Sequence, residues 1–87
     1  MRQVIFGSVA QKDYDQWAYN NVKIFNKINY LIDDIDRNPY VGLGKPEPLK
    51  HELAGFWSRR INRKDRLIYQ ISPQNEIIIT SCKNHYK

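Results

Sequence analysis

A stiff loop at residues 38–50 divides this chain into two parts with different hydrophobic spacing. The loop reads NPYVGLGKPEPLK and contains three prolines and two glycines. Because a proline disfavours helical backbone in the residue before it, a helix that precedes the loop must end near Asn38. The prolines at 46 and 48 also restrict Lys45 and Glu47 towards extended conformations. The loop therefore separates a helical first part from a second part built of strands.

One short strand and two helices are predicted before the loop. Residues 2–6 (RQVIF) are β-prone and end at Gly7, and Ser8 with Gln11 has capping-box spacing, which indicates a helix start. Its apolar face contains Ala10, Tyr14, Trp17 and Ala18. A tight turn at Asn20 and Asn21 leads into a second helix. Its apolar face contains Ile24, Ile28, Leu31, Ile32 and Ile35. Its solvated face includes Asp33, Asp34 and Asp36. Helices joined by so short a turn should form an antiparallel hairpin.

Three strands are predicted after the loop. Residues 56–61 (FWSRRI), 66–71 (RLIYQI) and 76–82 (EIIITSC) are separated by the turn sequences NRKD and SPQN. Connections this short join antiparallel neighbours. The sequence therefore predicts one α+β domain over residues 1–87, in the order β-αα-βββ, with a helical hairpin on one face of a twisted antiparallel sheet.

Length and composition exclude several classes of protein. A chain of 87 residues has room for one domain. It contains no apolar run of the roughly 20 residues that span a bilayer, and its start lacks a signal peptide's apolar segment. Cys82 is the only cysteine, so no internal disulfide can form. These features are typical of a protein of the reducing cytoplasm, without a membrane partner.

Positive charge is concentrated in one quarter of the chain. The net charge is +5, yet residues 1–44 carry five basic and five acidic side chains. Residues 45–66 carry seven Lys or Arg against three acidic residues. A surface that binds a polyanion concentrates charge in this way, and the pattern indicates a nucleic-acid partner.

Glu47 is the first candidate for chemistry. A loop glutamate is usually a solvated surface group, but prolines on both sides remove the backbone freedom of this one. Such stiffness helps to hold a functional group in a productive geometry. The surrounding lysines favour the ionised carboxylate, which is the form that a general base requires.

Arginines in the strands and the end of the chain supply further candidates. Arg59 and Arg60 point to opposite faces of one strand, so at most one of them shares a face with Arg66. Guanidinium groups suit phosphate because they donate two parallel hydrogen bonds. The end of the chain is either disordered or held at the end of the sheet by the last strand. If the last strand holds it there, His85 can donate a proton and Tyr86 can stack on a base.

Other side chains carry weaker signals. His51, His85 and Cys82 lack the spacing of zinc ligands, so no metal site is predicted. Cys82 is expected to fill the core and not to act as a nucleophile. Aromatic residues in strands usually belong to the core, although three of them could also stack on bases: Phe56, Trp57 and Tyr69.

The segment GLGKPEPLKHELAGFWSRRI at residues 42–61, with RLIY at 66–69 and HY at 85–86, resembles the YoeB/Txe-type toxins of the RelE superfamily, which belong to bacterial type II toxin–antitoxin systems. The resemblance extends over essentially the whole chain and implies a RelE-like α+β fold. It implies a metal-independent endoribonuclease without cofactors that cuts mRNA in the ribosomal A site. The implied protein partners are a cognate YefM-like antitoxin and a second copy in a homodimer.

The resemblance also implies roles for individual residues. Glu47 matches the general base, Arg66 the phosphate-stabilising arginine, His85 the general acid and Tyr86 the aromatic residue beside it. Lys50, Arg59 and Arg60 match positions associated with RNA or ribosome contact, and Lys45 is expected to contact RNA with them. The end of the chain departs from the pattern, because Lys87 follows the HY pair and Asn84 stands where relatives carry an aromatic residue.

Two other function classes are distinguishable from this one. A non-catalytic RNA- or ribosome-binding module would use the same basic surface without cleavage. A DNA-binding domain fits poorly, because the excess charge lies in the loop and strands and the helices have no basic recognition face.

Overall fold

A computed structural model describes residues 1–84 of the chain. Its helices are α1 (Ser8–Asn20) and α2 (Val22–Arg37), and its strands are β1 (Val4–Phe6), β2 (Glu47–Pro48), β3 (Trp57–Arg60), β4 (Arg66–Ile71) and β5 (Ile77–Ser81). A short 3-10 turn at His51–Leu53 follows β2. No helix within the described residues is long and apolar enough to cross a bilayer.

The five strands form one mixed sheet in the order β1-β5-β4-β3-β2. The predicted α+β fold is confirmed, but two details of the sheet differ from the prediction. β1 runs parallel to β5, with Val4 opposite Ile77, and the two helices and three strands between them provide the long connection that a parallel pair needs. The stiff loop also contributes a two-residue edge strand, β2, that pairs antiparallel with β3.

The helical hairpin forms where the sequence predicts it, with different caps. Gly7 is the N-cap of α1 without a side-chain hydrogen bond, so Ser8 does not form the predicted capping box. Asn21 is the N-cap of α2, and its side chain accepts a hydrogen bond from the Ile24 N–H at 3.3 Å. Ala18, which was assigned to the apolar face of α1, is exposed.

The core lies between the helices and one face of the sheet. The apolar side of α2 is buried as predicted, with Ile28, Leu31 and Ile35 fully inaccessible. They belong to one hydrophobic cluster with the sheet residues Leu67, Tyr69, Ile77 and Ile79. Full burial of each large aliphatic side chain contributes about 1.5–3 kcal/mol. The two helices therefore pack on one face of the sheet and not on the opposite face.

Candidate functional site

The pairing of β2, β3 and β4 places Glu47, Arg60 and Arg66 on one face of the sheet. Glu47 lies opposite Ser58, and Arg60 lies opposite Arg66. Directly opposed residues share a face, as do residues two apart in one strand. Because Arg59, between Ser58 and Arg60, is directed to the helix side, this face is the one opposite the helices.

The same pairing sets the separation of the three side chains. Adjacent strands lie about 4.8 Å apart and two residues span about 7 Å, so the Cα of Glu47 is about 8 Å from that of Arg60 and about 12 Å from that of Arg66. Arg60 therefore lies between the other two. Glu47 and Arg60 are exposed and Arg66 is half-buried. All three side chains therefore reach solvent on one surface, which has the Glu47 carboxylate at its edge and the two arginines beside it.

The guanidinium of Arg66 is held by the β3–β4 turn. Its Nη1 donates to the carbonyl oxygens of Asn62 (2.9 Å), Asp65 (3.1 Å) and Arg63 (3.3 Å). Within residues 1–84, its Nε and Nη2 have no hydrogen-bond partner. One side of the guanidinium is thus anchored, and the remaining N–H groups can donate to an anion.

Glu47 is extended, as the flanking prolines predict, but Lys45 is not. Lys45 has φ +53°, in the left-handed region. The turn arises because Gly44 passes close to β3, where its carbonyl accepts the Arg60 N–H at 2.6 Å. A Cβ on Gly44 would lie 3.0 Å from the Arg60 carbonyl oxygen. Lys45 and Lys50 are both exposed on either side of Glu47.

The expectation that Arg59 contacts RNA is wrong in this structure. Its side chain is 0% exposed and forms an ion pair with Asp34, with Nη1 at 2.5 Å from Oδ2. Asp34 itself is buried, which also corrects its assignment to a solvated face. The strand alternation that sends Arg60 outwards sends Arg59 into the core, where a charge must be paired.

Arg59 also holds the loop that precedes Glu47. Its guanidinium donates to the carbonyl oxygens of Asn38 (2.5 Å), Val41 (3.1 Å) and Leu43 (3.1 Å). Its Nε donates to the Tyr69 hydroxyl at 3.2 Å, and that hydroxyl donates to the Pro39 carbonyl at 2.5 Å. The first half of the loop is therefore fixed to β3 and β4 from within the core.

Burial and hydrogen bonding shift the ionisation of this cluster. The Leu43 N–H and the Arg59 guanidinium, both bonded to Asp34, lower the pKa of that carboxyl. Burial raises the pKa of the Tyr69 hydroxyl. Tyr69 is fully inaccessible and belongs to the core, whereas Phe56 and Trp57 are half-buried.

Cys82 is buried, as predicted. Burial raises the pKa of its thiol to about 12, and the charges of Asp13 and Asp65 add to the shift. A thiol with so high a pKa carries almost no thiolate at neutral pH and is not a nucleophile. Within residues 1–84, no group of three or more His, Cys, Asp or Glu side chains could hold a metal ion.

His85 and Tyr86 lie outside the residues that the structure describes. The last described residue, Asn84, has its N–H bonded to the buried carboxylate of Asp65 and its carbonyl bonded to the Arg66 N–H. Sequence reasoning counted Asp65 only as an acidic residue in a turn. The Asn62-x-x-Asp65 spacing, typical of turns closed by side chains, is the signal that could have singled it out.

Comparison with known proteins gives consistent matches. A family model described as the YoeB-like toxin of bacterial type II toxin–antitoxin systems matches residues 6–86. The toxin YoeB of Escherichia coli K12 is 44% identical over 84 residues, covering 97% of this chain and 99% of that protein.

Solved structures agree with the sequence matches. The YoeB dimer from Staphylococcus aureus superposes with a TM-score of 0.91 at 45% identity, covering 98% of both chains. The toxin chain of the YoeB–YefM complex from the same organism gives a TM-score of 0.90 at 46% identity, covering 99% of both chains.

Proposed function

Because the chain belongs to the YoeB-like toxin family of bacterial type II toxin–antitoxin systems, we propose that it is an endoribonuclease that cuts mRNA on the ribosome and so inhibits translation. The observation that carries this proposal is the open sheet face shared by Glu47, Arg60 and Arg66. One carboxylate beside two guanidinium groups can supply a general base and stabilise the negative charge that develops during cleavage of a phosphodiester.

The reaction uses the 2′-hydroxyl of RNA as its nucleophile. Glu47 takes the proton of that hydroxyl while the 2′-oxygen forms a bond to phosphorus. The bond from phosphorus to the 5′-oxygen breaks, and His85 gives its proton to that leaving oxygen. Arg66 stabilises the extra negative charge on phosphorus. The products are a 2′,3′-cyclic phosphate, opened slowly by water to a 3′-phosphate, and a 5′-hydroxyl.

The remaining candidate residues bind RNA around this centre. Arg60 lies between the proposed base and Arg66, and is placed to contact the same phosphate or its neighbour. Lys45 and Lys50 flank Glu47 and face the backbone on either side of the cut. Tyr86 stacks on a base next to the scissile bond. Arg59 is omitted from this set because it is buried.

The proposed partners are a YefM-like antitoxin, mRNA and the A site of the 70S ribosome, with a homodimer as the assembled form. The Staphylococcus aureus relatives, solved as a dimer and as a complex with YefM, support the two protein partners. We expect the antitoxin to cover this basic surface with an acidic segment that folds on binding.

Mapping of RNA ends tests the proposal directly. The protein is incubated with mRNA in EDTA, with and without translating ribosomes. Cuts that leave a 5′-hydroxyl only when ribosomes are present are expected. A 2′-deoxy substitution at the scissile nucleotide should abolish cleavage, and continued cutting there would contradict the mechanism.

A paired variant separates the enzyme from a non-catalytic binding module. Glu47→Gln combined with His85→Ala should keep ribosome and RNA binding but lose cleavage by at least about 10³-fold, since each proton transfer contributes about 10²–10⁴-fold. Unchanged inhibition of translation by this variant would favour a binding module.

A further inference from the structure

The backbone of Asn84 is held at both of its polar groups. Its N–H donates to Oδ1 of Asp65 at 2.7 Å. Its carbonyl accepts the backbone N–H of Arg66 at 3.0 Å. Two bonds to adjacent residues of the β3–β4 turn and β4 thus hold the backbone on both sides of the Asn84 Cα. The next residue in the chain is the proposed general acid.

The chain just before Asn84 is anchored to α1. The N–H of Cys82 donates to Oδ2 of Asp13 at 3.2 Å, and its carbonyl accepts Nε1 of Trp17 at 2.8 Å. These contacts lie just after the end of β5, on the side of the sheet that faces the helices. Among residues 82–84, the hydrogen bonds of Asn84 to Asp65 and Arg66 are the ones that connect the described chain to the start of β4.

Both oxygens of the Asp65 carboxylate are hydrogen-bonded, Oδ1 to Asn84 and Oδ2 to Asn62. The residue is 5% exposed, and its Oδ2 accepts from Nδ2 of Asn62 at 3.1 Å while its own N–H donates to Oδ1 of Asn62 at 2.7 Å. Arg63, Lys64 and Arg66 are its neighbours in sequence, yet within residues 1–84 none forms an ion pair with it. A buried carboxylate held this way gives a strong, charge-assisted hydrogen bond to a backbone N–H.

The hydrogen bond from the Asn84 N–H to the Asp65 carboxylate helps to hold an unusual backbone conformation at Asn84. Asn84 has φ +67°, a left-handed conformation that asparagine tolerates better than most residues. The two hydrogen bonds of Asn84 hold the residue in this conformation. Without the Asp65 carboxylate, one of the two bonds that orient it is lost.

We propose that Asp65 is a positioning residue for His85: it holds Asn84, the residue before the proposed general acid, close to the backbone of Arg66. This inference rests on the proposed function. A displacement of about 1 Å of a catalytic group can cost about 10²-fold in rate, so a residue that never touches RNA can control the proton transfer to the leaving oxygen.

The leaving group provides a readout that a general loss of stability would not reproduce. Ribosomes are programmed with mRNA whose scissile linkage carries either the normal 5′-oxygen or a 5′-sulfur. A thiolate leaves without protonation, because thiols have a pKa of about 8.5 and alcohols a far higher one. Cleavage of the sulfur linkage therefore does not need the general acid, and single-turnover rates are measured on both.

Asp65→Ala should slow cleavage of the oxygen linkage by about 30- to 100-fold and that of the sulfur linkage by less than about threefold. His85→Ala should show the same selectivity, and the double variant should be no slower than His85→Ala alone. Asp65→Asn keeps an oxygen acceptor for Asn84 and should recover part of the lost rate. Asp33→Ala removes an exposed carboxylate of α2 and should change neither rate.

Distinct outcomes separate this inference from the proposed function. Equal slowing of both linkages by Asp65→Ala, or no slowing, overturns the positioning role while wild-type cleavage stands. Failure of the wild-type protein to cut either linkage overturns the proposed function and this inference with it. If circular dichroism shows that Asp65→Ala is unfolded, Asp65→Asn decides, because a selective loss on the oxygen linkage is required of it too.

Discussion

Arg59 and Arg60 are neighbours in β3 with opposite environments. Arg59 is fully buried and paired with Asp34, whereas Arg60 is exposed beside Arg66. The alternation of a strand predicts that they point apart, but not which of them points inwards. That choice depends on Asp34, whose carboxylate comes from α2 and is distant in sequence. Identical side chains thus lie in the core at one position and, in the proposed function, contact RNA at the next.

Removal of the exposed arginine should weaken RNA binding without unfolding the protein. In a non-cleaving Glu47→Gln background, Arg60→Ala should lower affinity for single-stranded RNA about tenfold, or about 1.4 kcal/mol. The slope of log affinity against log salt should fall by about 0.7, because one phosphate contact is lost. Fluorescence anisotropy at several salt concentrations measures both. Lys27→Ala, an exposed cation of α2, is the control, and an equal effect there would indicate non-specific attraction.

The buried thiol gives a second prediction for a single residue. Because burial raises the pKa of Cys82 to about 12, the native protein should not react with a disulfide reagent at pH 8 within an hour. The same protein in guanidinium chloride should react completely within minutes. Stoichiometric labelling of the native protein would show that the end of β5 opens readily.

At the scale of elements, the Arg59–Asp34 pair joins α2 to β3 and holds the first half of the loop that leads to Glu47. Gly42 passes so close to Asp34 that a Cβ there would overlap Oδ2 of that carboxylate. Periodicity predicts α2 and β3 themselves, because each has an apolar face. It assigns Asp34 to solvent together with Asp33 and Asp36, because carboxylates late in a helix are usually exposed, and no local signal reveals a buried partner in a strand.

Removal of the Asp34 carboxylate should lower the free energy of unfolding and make that free energy depend less on pH in the acid range. Asp34→Asn leaves Arg59 buried without its counter-charge and should cost about 3 kcal/mol at pH 7. The folded-state pKa of Asp34 is lowered, so its contribution is complete above the unfolded pKa and is lost as pH falls through the folded pKa. Wild-type stability should therefore fall more than that of the variant between pH 6 and pH 2.

Urea unfolding at a series of pH values measures this difference. The gap between wild type and Asp34→Asn should be largest near neutrality and should narrow towards pH 2. Asp33→Asn removes an exposed carboxylate from the same turn and should follow the wild-type curve. A constant gap across the series would show that the pair contributes no proton-linked stability.

At the scale of the whole molecule, one hydrophobic cluster connects both helices to the sheet. Both helices and four of the five strands could be predicted from spacing and turn residues. The parallel pairing of β1 with β5 could not, because nothing in either strand's sequence identifies its partner. The two-residue β2 was also beyond prediction, since its pairing arises from the close approach of the loop to β3.

A single core predicts a single unfolding transition for residues 1–87. Trp17 on α1 and Trp57 on β3 report on the two layers separately. In Trp57→Phe and in Trp17→Phe proteins, the remaining tryptophan's fluorescence and the far-UV circular dichroism should give the same urea midpoint within each variant. Two midpoints in either variant would show that the helical hairpin and the sheet unfold independently.

The parallel pairing of β1 with β5 has a consequence for biosynthesis. β1 is synthesised long before its neighbour, because Val4 pairs with Ile77. A nascent chain therefore lacks a completed sheet until β5 has also emerged. Until then the edge of β1 has no partner strand, and the fold can close only after nearly all of the described residues have been made.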